Sequence, residues 1–125
     1  MTKKILVVED NSDIRRLIRI TLEFEDVQIL EAPDGSTGLQ LAARERPDVA
    51  VLDVMMPGGT DGLEVCRRIK ADPDLAATKV IMLSACGAPR DIAAATEAGA
   101  CAYLVKPFSP IELTMVVAKH AFGTA

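Results

Sequence analysis

Two aliphatic runs in this chain end directly in carboxylates: Ile5-Leu6-Val7-Val8 in Glu9-Asp10, and Val49-Ala50-Val51-Leu52 in Asp53. Two more runs end in other polar groups, Val80–Leu83 in Ser84 and Ala102–Val105 in Lys106. Carboxylates held side by side repel one another, and burying them is costly unless a cation compensates. Hard divalent cations take oxygen ligands, and Mg²⁺ commonly combines one or two carboxylates with waters and a phosphate. An aspartate carboxylate can also attack phosphorus and form an acyl phosphate. Asp53 ends an interior run between the other groups and is the candidate nucleophile. Lys106 would supply a second cation to the developing phosphoryl oxygens, and Ser84 a hydrogen-bond donor. The plainer alternatives are a helix cap at Asp10, a turn at Asp53, a turn hydroxyl at Ser84 and a surface charge at Lys106. Asn11 and Ser12 already provide caps, which weakens the first of these.

These side chains meet only if the runs that carry them lie side by side. Continuous β-branched and aliphatic runs separated by helical stretches read as parallel strands buried on both faces. The carboxyl ends of a parallel sheet share one edge, and ligands bind there. Glu9, Asp10, Asp53, Ser84 and Lys106 then converge on one rim. The first helix starts near Asn11-Ser12 and sets Ile14, Leu17, Ile18, Thr21 and Leu22 on one face. Val27–Leu30 makes a further strand ending in Glu31, which has no similar acidic company and reads as solvated if that strand lies at the sheet edge. After a turn at Pro33-Asp34-Gly35, a helix presents Leu39, Ala42 and Ala43 and stops before Pro47. The third helix carries Leu63, Cys66 and Ile69, and Asp72-Pro73 breaks it. The fourth is alanine-rich, starts at Pro89 and ends near Gly99. The fifth opens on the capping box Ser109-Pro110-Ile111-Glu112 and presents Ile111, Met115, Val116 and Lys119. Five strands thus alternate with five helices in an α/β arrangement, and right-handed crossovers set helices on both sides of the sheet.

With 125 residues, the chain reads as one domain spanning 1–125, without an output domain, and able to bury roughly two-thirds of its unfolded surface. A net charge of -4 argues against direct nucleic-acid binding, which needs a clustered basic face. No apolar run approaches a membrane span, so a membrane location is not expected. Lys3-Lys4 precede a run too short for a signal peptide, interrupted by Glu9-Asp10. Cys66, Cys86 and Cys101 are odd in number and form no Cys-x-x-Cys pair, which favours reduced thiols and a cytoplasmic location. Cys66 reads as core beside Leu63 and Ile69, Cys86 as a loop thiol, and His120 as a solvated helix residue. Gly58-Gly59 lacks the Gly-Lys-Ser/Thr ending of a phosphate-cradling loop.

Six segments in order carry a family resemblance: Lys4–Asn11, Leu52–Gly58, Asp61–Glu64, Ile81–Ala85, Gly99-Ala100 and Tyr103–Phe108. Through them the chain resembles the receiver domain of two-component response regulators, of the chemotaxis-regulator type, over essentially its whole length. The resemblance implies a three-layer, doubly wound, flavodoxin-like sheet in the order 2-1-3-4-5. It implies phosphorylation of Asp53 by a histidine kinase or histidine phosphotransfer protein. Mg²⁺ would be held by Asp10, Asp53 and the Met55 carbonyl, with Glu9 acting through water, and Lys106 would pair with the phosphoryl group. Further implications are a cis bond before Pro107 and a switch in which Ser84 moves toward the phosphoryl group while Tyr103 turns inward. That would remodel a face made by the fourth helix, fifth strand and fifth helix, for an unidentified downstream protein or a homodimer. Such a protein is a signalling switch and not an enzyme, beyond its own phosphorylation and dephosphorylation at Asp53.

The family usually has two residues between the loop proline and the Asp-Gly that opens the third helix. Here Gly58, Gly59 and Thr60 separate Pro57 from Asp61. The extra residue lies beyond the Met55 carbonyl, so metal binding is expected to survive it. Two other classes fit less well. An aspartyl phosphatase or phosphomutase needs a second Asp two positions after the nucleophile, where this chain has Met55. In a flavodoxin-like cofactor carrier, Glu9-Asp10 would repel the phosphate.

Overall fold

Five strands form the scaffold: β1 (Lys3–Val8), β2 (Val27–Ala32), β3 (Val49–Asp53), β4 (Lys79–Ser84) and β5 (Ala102–Val105). They alternate with the helices α1 (Ser12–Thr21), α2 (Gly35–Glu45), α3 (Gly62–Ala71), α4 (Pro89–Ala98) and α5 (Pro110–Phe122). The computed structural model describes residues 2–24, 26–54 and 61–123. All neighbouring strands pair in parallel, in the order β2-β1-β3-β4-β5. This is the doubly wound, flavodoxin-like order that the resemblance implied.

The two-residue period of the strands sorts the core into two layers. Leu6, Val8, Ala50, Leu52, Val80 and Met82 pack against Ala42 of α2, Val65, Cys66 and Ile69 of α3, and Ala95 and Ala98 of α4. Ile5, Val7, Val49, Val51, Ile81 and Leu83 face the other way, onto Ile18 of α1 and Leu113 and Val117 of α5. Each such aliphatic side chain contributes about 1.5–3 kcal/mol when fully buried. The sheet that carries the rim residues is therefore held rigidly from both sides.

Side-chain caps fix where three helices begin near the rim. Asn11 Oδ1 accepts from the N–H groups of Asp13 and Ile14, Asp34 from Thr37, and Asp61 from Glu64. At Ser109 the hydroxyl accepts from Glu112 and Pro110 takes the first helical position, as the capping box predicts.

Four sequence expectations need correction. The buried stripe of α5 is Leu113, Val117 and Ala121, whereas Ile111 is 73% exposed and Met115 67% exposed. Apolar residues run around most of this helix, so its periodicity does not select a face. The position of the sheet does. On α2, Ala43 is exposed while Gly35, Gly38 and Ala42 are buried. The helix approaches β1 so closely that a Cβ on Gly38 would lie 2.7 Å from Val8 Cγ2. Strand β5 is an edge and is not buried on both faces: Ala102 and Tyr103 are half-buried and Val105 is exposed. Glu31, at the opposite edge, is half-buried, with Arg19 at 2.6 Å and Arg15 at 3.4 Å from its carboxylate.

Candidate functional site

Glu9 and Asp10 leave the end of β1, Asp53 is the last residue of β3, Ser84 is the last of β4, and Lys106 directly follows β5. One ligand oxygen each from Glu9, Asp10 and Asp53 can be chosen so that all lie within 4.8 Å of one another. Glu9 is 1% exposed and Asp53 4%, while Asp10 is open to solvent. Lys106 Nζ stands 2.7 Å from Glu9 Oε1 and 3.3 Å from Asp53 Oδ1. Ser84 is buried, and its Oγ accepts from the Cys86 N–H at 3.1 Å. The five residues read from the sequence as one site do share one rim. The Met55 carbonyl and the loop through Pro57, Gly58, Gly59 and Thr60 lie outside the described residues.

The rim's electrostatics follow from burial and from the mixture of charges it holds. Burial raises Glu9 from 4.5 to about 7, the neighbouring Asp53 carboxylate adds to the rise, and the Lys106 ammonium opposes it. Lys106 is itself desolvated, which works against its charge. Its contacts with Glu9 and Asp53 outweigh that, and its pKa stands above the ordinary lysine value. The Lys106 ammonium offsets the burial and the like charge only in part, and Glu9 stays above the ordinary carboxylate value. Oxygen donors, surplus negative charge and a partly open mouth at Asp10 together suit a hard divalent cation.

This titration gives a stability prediction. Between 4.5 and about 7 the folded protein binds the Glu9 proton more tightly than the unfolded chain does. Stability from this group is therefore present below that window and is lost as pH rises through it. Denaturant titrations of metal-free protein should show the loss, and Glu9→Gln should flatten it. Mg²⁺ should oppose it by binding the folded form. Equal pH slopes for the parent and Glu9→Gln would reject this assignment.

Neighbouring residues fix the rim's backbone. Glu9 Oε2 accepts from the Asn11 N–H at 3.3 Å, and Arg15 Nη1 donates to the Glu9 carbonyl at 2.7 Å. Arg15 was not among the site candidates. It lies on α1, six residues beyond Glu9, and that separation alone does not reveal the contact. Behind Asp53, a Cβ on Gly62 would fall 2.2 Å from the Asp53 carbonyl oxygen, so α3 can start there only with glycine.

Residues 5–118 match the family model described as the response regulator receiver domain. The chain belongs to the response regulator receiver family. This receiver domain is 46% identical over 114 residues to the transcriptional regulatory protein ResD of Bacillus subtilis, covering 91% of the chain and 46% of ResD. It is 40% identical over 113 residues to the response regulator PleD of Caulobacter vibrioides, covering 90% of the chain and 25% of PleD. The chain thus spans less than half the length of these relatives. The chemotaxis protein CheY4 of Vibrio cholerae superposes with a TM-score of 0.86 at 29% identity, covering 97% of this chain and 99% of that one. A Francisella response regulator receiver domain superposes with a TM-score of 0.87 at 30% identity, covering 99% of this chain and all of its own. The protein is accordingly a receiver domain of two-component signalling. Receiver domains bind Mg²⁺ at an acidic pocket and interact with histidine kinases or phosphotransfer proteins.

Two further features of the receiver domain lie beside the acidic rim. The Lys106–Pro107 bond is cis. Tyr103 is half-buried, and its hydroxyl donates to the carbonyl of Cys86, two residues beyond Ser84. Ser84 and Lys106 are also joined through the backbone, with the Lys106 N–H donating to the Ser84 carbonyl at 2.7 Å. Among the described residues, no helix is long and apolar enough to cross a membrane.

Proposed function

We propose that this receiver accepts a phosphoryl group on Asp53 from a histidine kinase or histidine phosphotransfer protein. The observation that carries the reading is the Lys106 ammonium set 3.3 Å from the buried Asp53 carboxylate, within a cluster of acids suited to a divalent cation. An Asp53 oxygen attacks phosphorus, the new O–P bond forms, and the bond to the donor's leaving group breaks. Lys106 faces the oxygens on which charge builds, and the Ser84 hydroxyl turns from the Cys86 N–H to donate to one of them. Asp10 and Asp53, together with the Met55 carbonyl that the family resemblance implies, would hold Mg²⁺, with Glu9 acting through water. Bound there, the ion would supply positive charge to offset that on the phosphoryl oxygens and the acids.

The phosphoryl group brings up to about two negative charges and three acceptor oxygens to one point. Only a difference in interaction between two conformations turns that into a signal. Ser84 provides it by moving toward the new oxygens, which disturbs the loop whose Cys86 carbonyl holds Tyr103. Tyr103 then turns inward, and the face of α4, β5 and α5 changes for a downstream protein or a second copy of the chain. Turnover is confined to Asp53 itself, and the setting is the cytoplasm. The free state of Cys66, Cys86 and Cys101 is in keeping with a reducing compartment.

The test uses acetyl phosphate as the donor. With Mg²⁺, intact-mass measurement should show a single base-labile phosphoryl group per chain, and a chelator should prevent it. Equal modification in the presence of the chelator would overturn the metal's role.

A further inference from the structure

At the end of β5 away from the acidic rim, a second group of reactive side chains comes together. Cys101, directly before β5, holds its Sγ 3.6 Å from Nδ1 of His120 on the last turn of α5. Cys101 is exposed and His120 half-buried. Burial foremost, then the positive charges of Lys119 on α5 and Lys79 at the start of β4, hold the imidazole below its ordinary value of 6.5. That shift favours the neutral imidazole, which in the tautomer with Nδ1 bare can accept a proton from the thiol. The thiol also lines a groove of about 350 Å³ between α4 and β5, with Ile92, Thr96 and Tyr103 on its walls. Cys66 is set apart: it is buried, donates to the Ala98 carbonyl at 3.3 Å, and is pushed up to about 11 by burial.

We propose that Cys101 and His120 form a thiol-modification site that reacts with small anionic disulfides, separate from phosphoryl transfer. The Cys101 thiol passes its proton to Nδ1 of His120 as Sγ attacks one sulfur of the disulfide. The new S–S bond forms and the old one breaks. The departing thiolate carries away the electron pair and takes the proton from the imidazolium. Cys101 is oxidised to a mixed disulfide, and one sulfur of the reagent is reduced to a thiol. The Cys101 thiol also donates to the Val80 carbonyl at 3.2 Å, so its proton turns from that carbonyl, which cannot keep it, to the imidazole. Lys79 and Lys119 favour reagents that carry carboxylates, and the groove beside Cys101 gives the attached half somewhere to lie.

The experiment takes the full chain with Cys86→Ser, leaving Cys101 as the exposed thiol. Glutathione disulfide is the anionic probe and cystamine the cationic one, with intact mass and peptide mapping as readouts. The expected result is one glutathione per chain, on Cys101 and not on Cys66, formed faster than the cystamine adduct. His120→Gln should slow the reaction by about tenfold, a modest effect for a positioned base. That advantage of the parent should disappear as pH falls and His120 protonates. Lys79→Gln with Lys119→Gln, both at exposed positions, should erase the preference for the anionic probe. Equal rates with and without His120 would overturn the proposal. An unchanged probe preference in the lysine variant would overturn it too, whatever His120→Gln does to folding.

Discussion

Asp53→Asn is expected to accept no phosphoryl group from acetyl phosphate and Mg²⁺ under conditions where the parent takes up one per chain. The amide has the shape of the carboxylate but is not a nucleophile toward phosphorus. The fold should not suffer, and this separates lost chemistry from lost structure. In the parent, Asp53 raises Glu9 and shares Lys106 with it. With a neutral amide at position 53, Lys106 faces Glu9 alone and less like charge is buried. Metal-free stability should therefore equal or exceed that of the parent in denaturant titration. Mg²⁺ should stabilise the variant less than the parent, because one carboxylate ligand is gone. Phosphorylation of Asp53→Asn to the parental extent would remove the basis of the assignment.

Lys106→Ala should be impaired in both stability and chemistry. Its Nζ is the described cation nearest the buried Glu9 and Asp53 carboxylates, and 19% of its side chain is exposed. Removing it takes away the ammonium that both carboxylates share. We expect a loss of about 2 kcal/mol in metal-free buffer, below the 3–5 kcal/mol of a fully buried pair because Glu9 takes up a proton instead. Mg²⁺ should then restore more stability to Lys106→Ala than it adds to the parent. Phosphorylation from acetyl phosphate should slow by about 100-fold, the scale seen when one preorganised electrostatic group is lost. A variant with parental stability and parental rate would reject the role given to Lys106.

The rim was legible because of how parallel sheets are built. A strand covered on both faces leaves a continuous apolar run, and the residue ending each run has to lie on the shared carboxyl edge. Val8 before Glu9-Asp10, Leu52 before Asp53 and Leu83 before Ser84 could thus be placed together with no knowledge of the turns between them. The face of α5 could not be read this way. Ile111, Leu113, Met115, Val116 and Val117 surround the helix, and only packing against Ile81 and Leu83 decides that Leu113 and Val117 go inward. The exposure of Val105 depends on β5 being an edge, a property of strand order and not of the strand itself. The Arg15 contact with Glu9 and the pairing of Cys101 with His120 depend on where the helices cross the sheet. Cys101 and His120 are 19 residues apart, a separation without a local structural period. The separate cysteine and histidine readings therefore missed the pair.

The central claim is that the acid at the end of β3 carries the phosphoryl group. Borohydride reduces an acyl phosphate to an alcohol, so treating phosphorylated protein should convert the modified aspartate into homoserine, which peptide mass mapping locates. The account predicts homoserine at Asp53 alone, formed only when Mg²⁺ was present during phosphorylation. Reduction at Glu9 or Asp10, or a phosphoryl group retained on His120 or Ser84 with Asp53 intact, would contradict it.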